Sequence, residues 1–289
     1  MPTVSICIPT YDRKDYLKET LSSILAQTYK DYEIIMVDDG STDGTGEMVK
    51  NSGYNLRYYW HENQGEAATC NKLVKFAQGK YISFAHSDDL LYPDSIERMV
   101  NAAIAETEDV VVYGSYVRID EHSNVCGRSK KKLYSGYITQ RVFEDNIVHA
   151  CGSMFPRKAL EEIGGFDTSL RVCQDYKLEL QLSLKYRFIA LNKPTFMRRR
   201  HSGNTSNNSF ANRKAELDVL TDFYYNMGGK DVIPERFAMK RLSKESYRAG
   251  RWAIKEGLLD QACELLGQSC RQYPNLKSII HLARAKMAK

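Results

Sequence analysis

The sequence has no run of about 18 apolar residues, so it offers no helix long enough to span a bilayer. Its start, Met-Pro-Thr-Val-Ser-Ile-Cys-Ile-Pro, has neither a basic segment nor a small-residue cleavage site and reads as carrying no secretory signal. The seven cysteines (Cys7, Cys70, Cys126, Cys151, Cys173, Cys263 and Cys270) are odd in number, scattered and never spaced as CxxC. That pattern argues against a disulfide framework and a zinc knuckle, and points to a reducing, cytoplasmic compartment. Charge of one sign is scarce too: 41 Lys and Arg face 36 Asp and Glu, leaving +5. The basic residues form no aromatic-interleaved stripe, so nucleic acid is not an expected partner. No internal repeat and no long low-complexity stretch occurs.

What is present is ample core material. The 289 residues are 43% hydrophobic and include 19 Tyr, 10 Phe and 2 Trp, which excludes a disordered chain. The length is that of about two domains. In the first half, short apolar runs alternate with helical patterns. Val4–Ile8, Tyr32–Val37, Leu56–Trp60 and Tyr81–Ala85 read as strands, and Tyr16–Gln27 and Glu66–Ala77 as helices. Such alternation predicts βαβ units and a mainly parallel sheet, with ligands beyond the carboxyl ends of the strands. Further strands are expected at 110–113, 116–119 and 187–191, and a polar loop from Ser202 to Asn212. From about Ala215 the pattern is helical only, and 247–273 is spaced as a packed helical hairpin ended by Pro274.

Two acidic pairs follow strands directly: Asp38-Asp39 and Asp88-Asp89. Alone, each is an ordinary turn or helix-capping feature, with Asp43 and Asp94 as the capping candidates. Together they concentrate negative charge at one sheet edge, which suits a hard divalent cation such as Mg²⁺ or Mn²⁺.

These segments resemble glycosyltransferase family 2. The resemblance rests on Val4-Ser5-Ile6-Cys7-Ile8-Pro9-Thr10-Tyr11, Val37-Asp38-Asp39-Gly40-Ser41-Thr42-Asp43 and Ser87-Asp88-Asp89, then on Gly164-Gly165-Phe166-Asp167, Gln174-Asp175 and Arg200-His201. It implies a GT-A fold: α/β, Rossmann-like, with a mainly parallel mixed sheet flanked by helices. The catalytic domain would cover about residues 1–210, with the nucleotide-sugar half at about 1–110 and the acceptor half at about 111–210, and residues 211–289 would form a helical appendage. It further implies that Pro9, Thr10 and Tyr11 line the nucleoside pocket, that Asp39 accepts from the base and that Asp38 supports the turn. Asp88 and Asp89 match the family's DXD-type motif. Asp89 would be a metal ligand and Asp88 would lie nearer the ribose or metal. Asp175 matches the general base, and His201 the histidine that approaches the metal and diphosphate. Arg199 and Arg200 would belong to a phosphate-facing lid, a run that is otherwise an ordinary solvated basic loop.

The implied activity is inverting transfer of a sugar from a nucleotide-diphosphate donor, with a UDP-sugar favoured, to a hydroxyl of a carbohydrate or lipid-linked glycan. The setting would be surface polysaccharide or glycoconjugate synthesis at the cytoplasmic side, with peripheral membrane association. The sequence departs from the family pattern at His86, where Asp is common, at Cys70, where Arg is common, and at Gln174, often Glu. A nucleotidyltransferase is the alternative enzyme class, but Pro9-Thr10-Tyr11-Asp12-Arg13 holds no glycine to cradle a triphosphate. A nucleotide-binding scaffold is the non-enzyme alternative. Arg128-Ser129-Lys130-Lys131-Lys132 reads as an exposed loop or as an attractor of anionic lipid headgroups. His149 and Ser153 are core or turn residues that would otherwise touch an acceptor.

Overall fold

The structure, a computed structural model, describes residues 1–204 and 209–288. The chain divides into two compact units, Met1–Ser202 and Gly203–Lys289.

The first unit runs β1 (Val4–Thr10), α1 (Lys14–Leu25), β2 (Tyr32–Asp38), α2 (Thr45–Asn51), β3 (Arg57–Trp60), α3 (Glu66–Phe76), β4 (Tyr81–Phe84) and β5 (Leu90–Leu91). It continues α4 (Ser95–Ile104), β6 (Val110–Tyr113), β7 (Tyr116–Ile119), β8 (Val125–Arg128), α5 (Thr139–Glu144) and β9 (Met154–Pro156). It closes with α6 (Arg157–Glu162), α7 (Gln174–Lys185), β10 (Arg187–Ala190) and β11 (Phe196–Arg199). Seven strands form one sheet in the order β10-β6-β9-β4-β1-β2-β3, and β5-β11-β7-β8 form a smaller one. In the large sheet only β9 is antiparallel, to β4 and β6.

The central strands explain the topology. Every residue of β1 and β4 is buried, the continuous burial expected of a sheet covered on both faces. The chain builds β1, β2 and β3 outward in one direction, then returns to place β4 on the other side of β1. That reversal is a topological switch point, where a crevice opens beyond the strand ends. β4 stops opposite Cys7, so Pro9 falls where β1 keeps only β2 as a neighbour and a missing N–H costs least.

In the small sheet β11 runs parallel to β7 and antiparallel to β5. The basic run Arg198–His201 is therefore not simply a loop: Arg198 and Arg199 end a strand. All seven cysteines are free.

The second unit is helical: α8 (Phe210–Asn226), α9 (Gly229–Val232), α10 (Glu235–Lys255), α11 (Leu259–Gln272) and α12 (Leu276–Ala288). α10 and α11 form the hairpin that the 247–273 spacing predicts. Their close approach needs Gly250, where a Cβ would meet Leu266 Cγ at 2.8 Å. Ser243 and Ser269 exchange hydroxyl-to-carbonyl hydrogen bonds of 2.9 and 2.8 Å across this seam. Residues 205–208 of the expected polar loop lie outside the described residues. No described helix is long and apolar enough to cross a membrane.

Candidate active site

The loops after β1 and β2 are stitched together by the backbone and by short polar side chains. Asp39 N donates to Thr10 O at 2.9 Å. Asp12 sits in the left-handed region (φ 46°); its N donates to Ser41 Oγ at 2.9 Å and its Oδ1 accepts from Thr42 N at 2.7 Å. Tyr11 beside this clamp is 48% exposed, a ring open to stacking, while Thr10 is buried and its Oγ1 has no hydrogen-bond partner among the described residues.

Adjacent carboxylates here do different work. Buried Asp38 accepts from Ser41 N at 2.8 Å and from the Tyr58 hydroxyl at 2.7 Å. Burial and the Asp38 carboxylate push the Tyr58 phenol up, so it stays a donor. Asp39 accepts Gln64 N at 2.7 Å on Oδ1, where His61 Nδ1 also stands at 3.5 Å, and Gly65 N at 2.9 Å on Oδ2, which keeps a second lone pair for another donor. It thereby fixes the start of α3, and with it Glu66.

At the end of β4, Asp88 Oδ2 lies 2.9 Å from His201 Nε2, and the His201 ring packs on Tyr16 with centroids 4.9 Å apart. His201 is thus brought to Asp88. Asp89 is buried, and its Oδ1 accepts from Arg199 N at 2.8 Å. Burial first, and then the Asp88 charge, raise the Asp89 carboxyl to about 6. Two crowded carboxylates with oxygen ligands to offer fit a hard divalent cation, whose charge would relieve that repulsion. Cys151 and His86 also offer ligand atoms near Asp89. The Cys151 thiol is held well above its ordinary value by burial and by Asp89, so it stays protonated and is a poor partner for such a cation.

Across the crevice stands α7. Gly164 (φ 80°) and Gly165 (φ 75°) are both left-handed, and a Cβ on Gly165 would meet Asn71 Oδ1 at 2.3 Å. Asn71 clamps the next residue, accepting Phe166 N at 2.7 Å and donating to Phe166 O at 2.8 Å. Asp167 then takes Lys177 Nζ at 2.9 Å; this bond, with those from Ser169, lowers its carboxyl to about 2. The Tyr176 hydroxyl donates to Val142 O at 2.8 Å. Asp175 therefore stands at the start of a helix anchored at the two following residues. Its field reaches Glu66 and His86, and so does that of Asp88. The fold brings Asp88, Asp89, Asp175, Glu66 and His86 into one electrostatic cluster.

Glu66 is the member that sequence reasoning missed, because in the sequence it is only the acid opening a helix. It accepts from Gln174 Nε2 at 2.8 Å and lies 3.6 Å from His86 Nε2. Burial, then the Asp175 and Asp88 charges, raise it despite His86. Burial would push His86 down, but the surrounding carboxylates Glu66, Asp89, Asp88 and Asp175 push it up on balance. The carboxylates of the cluster thus favour the protonated form of His86. Cys70, buried at the same place, is held well above its usual value and contributes no charge.

Arg199 and Arg200 differ from each other. Arg200 is exposed, whereas the Arg199 side chain is fully buried. Arg199 donates from Nε to Asp88 O at 2.8 Å, from Nη1 to Ser123 Oγ at 2.9 Å and from Nη2 to Glu19 Oε2 at 3.0 Å, over the Tyr16 ring. Its guanidinium braces the Asp88-Asp89 turn from behind and does not face the open crevice. Arg199→Met leaves these acceptors without their donor. It is expected to cost about 3–5 kcal/mol, as breaking a buried charged network does. Thermal denaturation reads this as a drop of roughly 10 °C.

Glu179, one helical turn beyond Asp175, is fully buried, and its Oε1 has no hydrogen-bond partner among the described residues. Burial and the Asp175 charge hold its carboxyl well above the usual range. A raised carboxyl favours folding while protonated, and that contribution is lost as pH rises through the folded-state value. Glu179→Gln is therefore expected to raise Tm at pH 8 by a few degrees, about 1 kcal/mol, and to change little at pH 5.

Residues 5–164 match the family model described as "Glycosyl transferase family 2". The chain belongs to glycosyltransferase family 2. An uncharacterized glycosyltransferase of Rickettsia prowazekii is 31% identical over 237 residues, covering 80% of this chain and 74% of that one. The chain spans between 27% and 57% of the length of four other rickettsial relatives. A chondroitin synthase of Escherichia coli is 31% identical over 209 residues, 71% of this chain and 30% of its own length. Among solved structures, Staphylococcus aureus TarS 1-349 in complex with UDP superposes with TM-score 0.69 at 17% identity, covering 99% of this chain and 90% of that one. The mannosyltransferase PcManGT of Pyrobaculum calidifontis, in complex with GDP-Man and Mn²⁺, gives 0.60 at 19% identity over 99% of this chain and 80% of that one. The α/β architecture of this glycosyltransferase, with its mainly parallel sheet, is thus that of the GT-A fold.

Proposed function

We propose that this glycosyltransferase transfers a sugar with inversion from a UDP-sugar to a hydroxyl of a carbohydrate or lipid-linked glycan. The observation that supports the reading is the electrostatic cluster in which Asp88, Asp89 and Asp175 act together on His86, and Asp88 and Asp175 on Glu66. In this reading the base stacks on Tyr11 beside Pro9 and Thr10 and donates to the open lone pair of Asp39, while Asp38 holds the turn. Asp89, with Asp88 and His201 beside it, holds Mn²⁺ or Mg²⁺, which supplies Lewis-acid stabilisation to the departing diphosphate when bound. Exposed Arg200 is a basic side chain placed to meet the phosphates.

Asp175 takes the proton of the acceptor hydroxyl as its oxygen bonds to the anomeric carbon. The bond from that carbon to the diphosphate oxygen breaks, and the nucleoside diphosphate leaves. The anchoring of α7 at Tyr176 and Lys177 keeps the base positioned, and holding both substrates in line supplies much of the remaining acceleration. The UDP-bound TarS neighbour supports the donor choice, the Mn²⁺ complex of PcManGT the cation, and the E. coli chondroitin synthase a role in polysaccharide or glycoconjugate synthesis. The test is nucleoside diphosphate release from a panel of UDP-, GDP- and dTDP-sugars, with Mn²⁺ and with EDTA. UDP release that stops in EDTA supports the reading, and release from GDP-sugars alone, or release unaffected by EDTA, contradicts it.

A further inference from the structure

A cavity of about 460 Å³ lies beside the small sheet, lined by Tyr116, Arg118, Arg128, Lys130, Lys131 and Lys132, with Asp145 as its one carboxylate. We propose that this cavity is an acceptor subsite that holds a phosphate group carried by the acceptor, about two strand spacings from the Asp89 turn. The proposal rests on the transferase reading above.

Five cations around one carboxylate are more than local ion pairing explains. Lys131 alone is matched, to Asp145 at 3.0 Å, and Arg128, Lys130 and Lys132 have no ion-pair partner among the described residues. Arg118 Nε is buried without a hydrogen-bond partner there. An exposed loop keeps like charges apart, whereas here they converge on one concavity, where a bound anion offsets their repulsion. Tyr116 on the cavity wall registers the field. Burial alone would push its phenol up, yet the hydrogen bond from Arg118 and the charges of Arg198 and Lys131 bring it below the ordinary value.

The position points to the acceptor rather than the donor. On one side Arg198 lies over the Tyr116 ring at 5.7 Å, and the next residue donates its backbone N–H to Asp89. On the other, Lys131 Nζ donates to Asn146 O, and the Asn146 amide, oriented with its nitrogen toward α7 as its neighbours require, donates to Glu179 Oε2 at 3.2 Å, one helical turn from Asp175. The cavity is thus tied to the Asp89 turn and to the helix of the proposed base. In the order β5-β11-β7-β8, β7 is two strands from β5, which Asp89 precedes. At 4.7–4.9 Å per strand that is about 10 Å, too far for the donor diphosphate at Asp89 and suitable for a phosphate on a neighbouring unit of the acceptor.

The test uses isothermal titration of the whole chain with glycerol 3-phosphate, with glycerol as control, and with UDP plus Mn²⁺. Arg128, Lys130 and Lys132 are exposed, so the triple variant R128Q/K130Q/K132Q should fold, and its Tm checks that it does. The wild type is expected to bind glycerol 3-phosphate and not glycerol, with affinity falling as salt rises. The triple variant should lose ten-fold or more of that affinity and keep UDP affinity within two-fold. No binding of glycerol 3-phosphate by the wild type, equal binding by the variant, or a parallel loss of UDP binding overturns the subsite. Phosphate binding by a wild type that binds no nucleotide overturns the transferase reading instead, and the acceptor assignment with it. Vesicles of phosphatidylglycerol and phosphatidylcholine distinguish the source. Variant-sensitive binding to the anionic vesicles identifies a lipid phosphate, and its absence a water-soluble acceptor.

Discussion

Asp175→Asn is expected to lower the rate of sugar transfer by about 10²–10⁴-fold, the contribution of one positioned general base. Asn keeps the size and the oxygen that accepts Tyr176 N, so α7 should start as before. It cannot take a proton from the acceptor hydroxyl. The loss should therefore fall on kcat, with the affinity for UDP and Mn²⁺ unchanged, because among the described residues no hydrogen bond or ion pair joins Asp175 to the β1–β2 loops or to Asp89. Single-turnover transfer together with nucleotide titration separates the two effects. A variant that retains wild-type turnover would reduce Asp175 to an ordinary first-turn carboxylate.

Asp89→Asn is expected to abolish the divalent-cation dependence of nucleotide binding, with transfer falling at least as far as in the Asp175 variant. Asn still accepts Arg199 N, so the turn is preserved while the ligand charge is gone. The raised carboxyl of Asp89, at about 6, sets a pH window with a definite sign. Above that value the charged form destabilises the cation-free protein, and below it the proton occupies the ligand. Mn²⁺ should thus raise the wild-type Tm more at pH 7.5 than at pH 5. In the absence of metal, Asp89→Asn should be more stable than wild type at pH 7.5 by about 3 °C or more, the shift 1 kcal/mol produces in a chain of this size. Equal metal-induced shifts at both pH values would contradict this role.

The architecture was legible wherever burial is continuous. β1, β2 and β4 are apolar runs; Pro9 and Asp38 fall in the last residues of β1 and β2 and His86–Asp89 follow β4, and these punctuations mark the sheet edge directly. Arg198 and Arg199 were not legible as strand residues, because a charge run in sequence gives no sign that one guanidinium will be buried under a turn. That burial is a tertiary effect requiring Ser123, Glu19 and the Asp88 carbonyl, which come from three separate segments. The different roles of Asp38 and Asp39 were equally hidden. The Asp39 partners, Gln64 and Gly65, lie 25 and 26 residues away and follow no local rule.

The departures at Cys70 and His86 gain meaning only in three dimensions. Both side chains belong to the environment of Glu66 and Asp175. The family resemblance implies Arg at the first position and Asp at the second, whereas here the first is a neutral thiol and the second a histidine whose protonated form the surrounding carboxylates favour. Sequence alone registers two unrelated substitutions. Glu66, the carboxylate nearest His86 Nε2 at 3.6 Å, is the link between them.

The Asp88-Asp89 turn and the β1–β2 loops are expected together to hold a nucleoside diphosphate through a divalent cation. The most direct measurement is the thermal denaturation of the wild type with UDP, with Mn²⁺, and with both. A ligand at about a hundred times its dissociation constant adds about 2.7 kcal/mol. A rise of roughly 5–10 °C is expected with both together, and much less with UDP in EDTA. An identical rise in EDTA, or none with UDP and Mn²⁺ together, would contradict this binding mode.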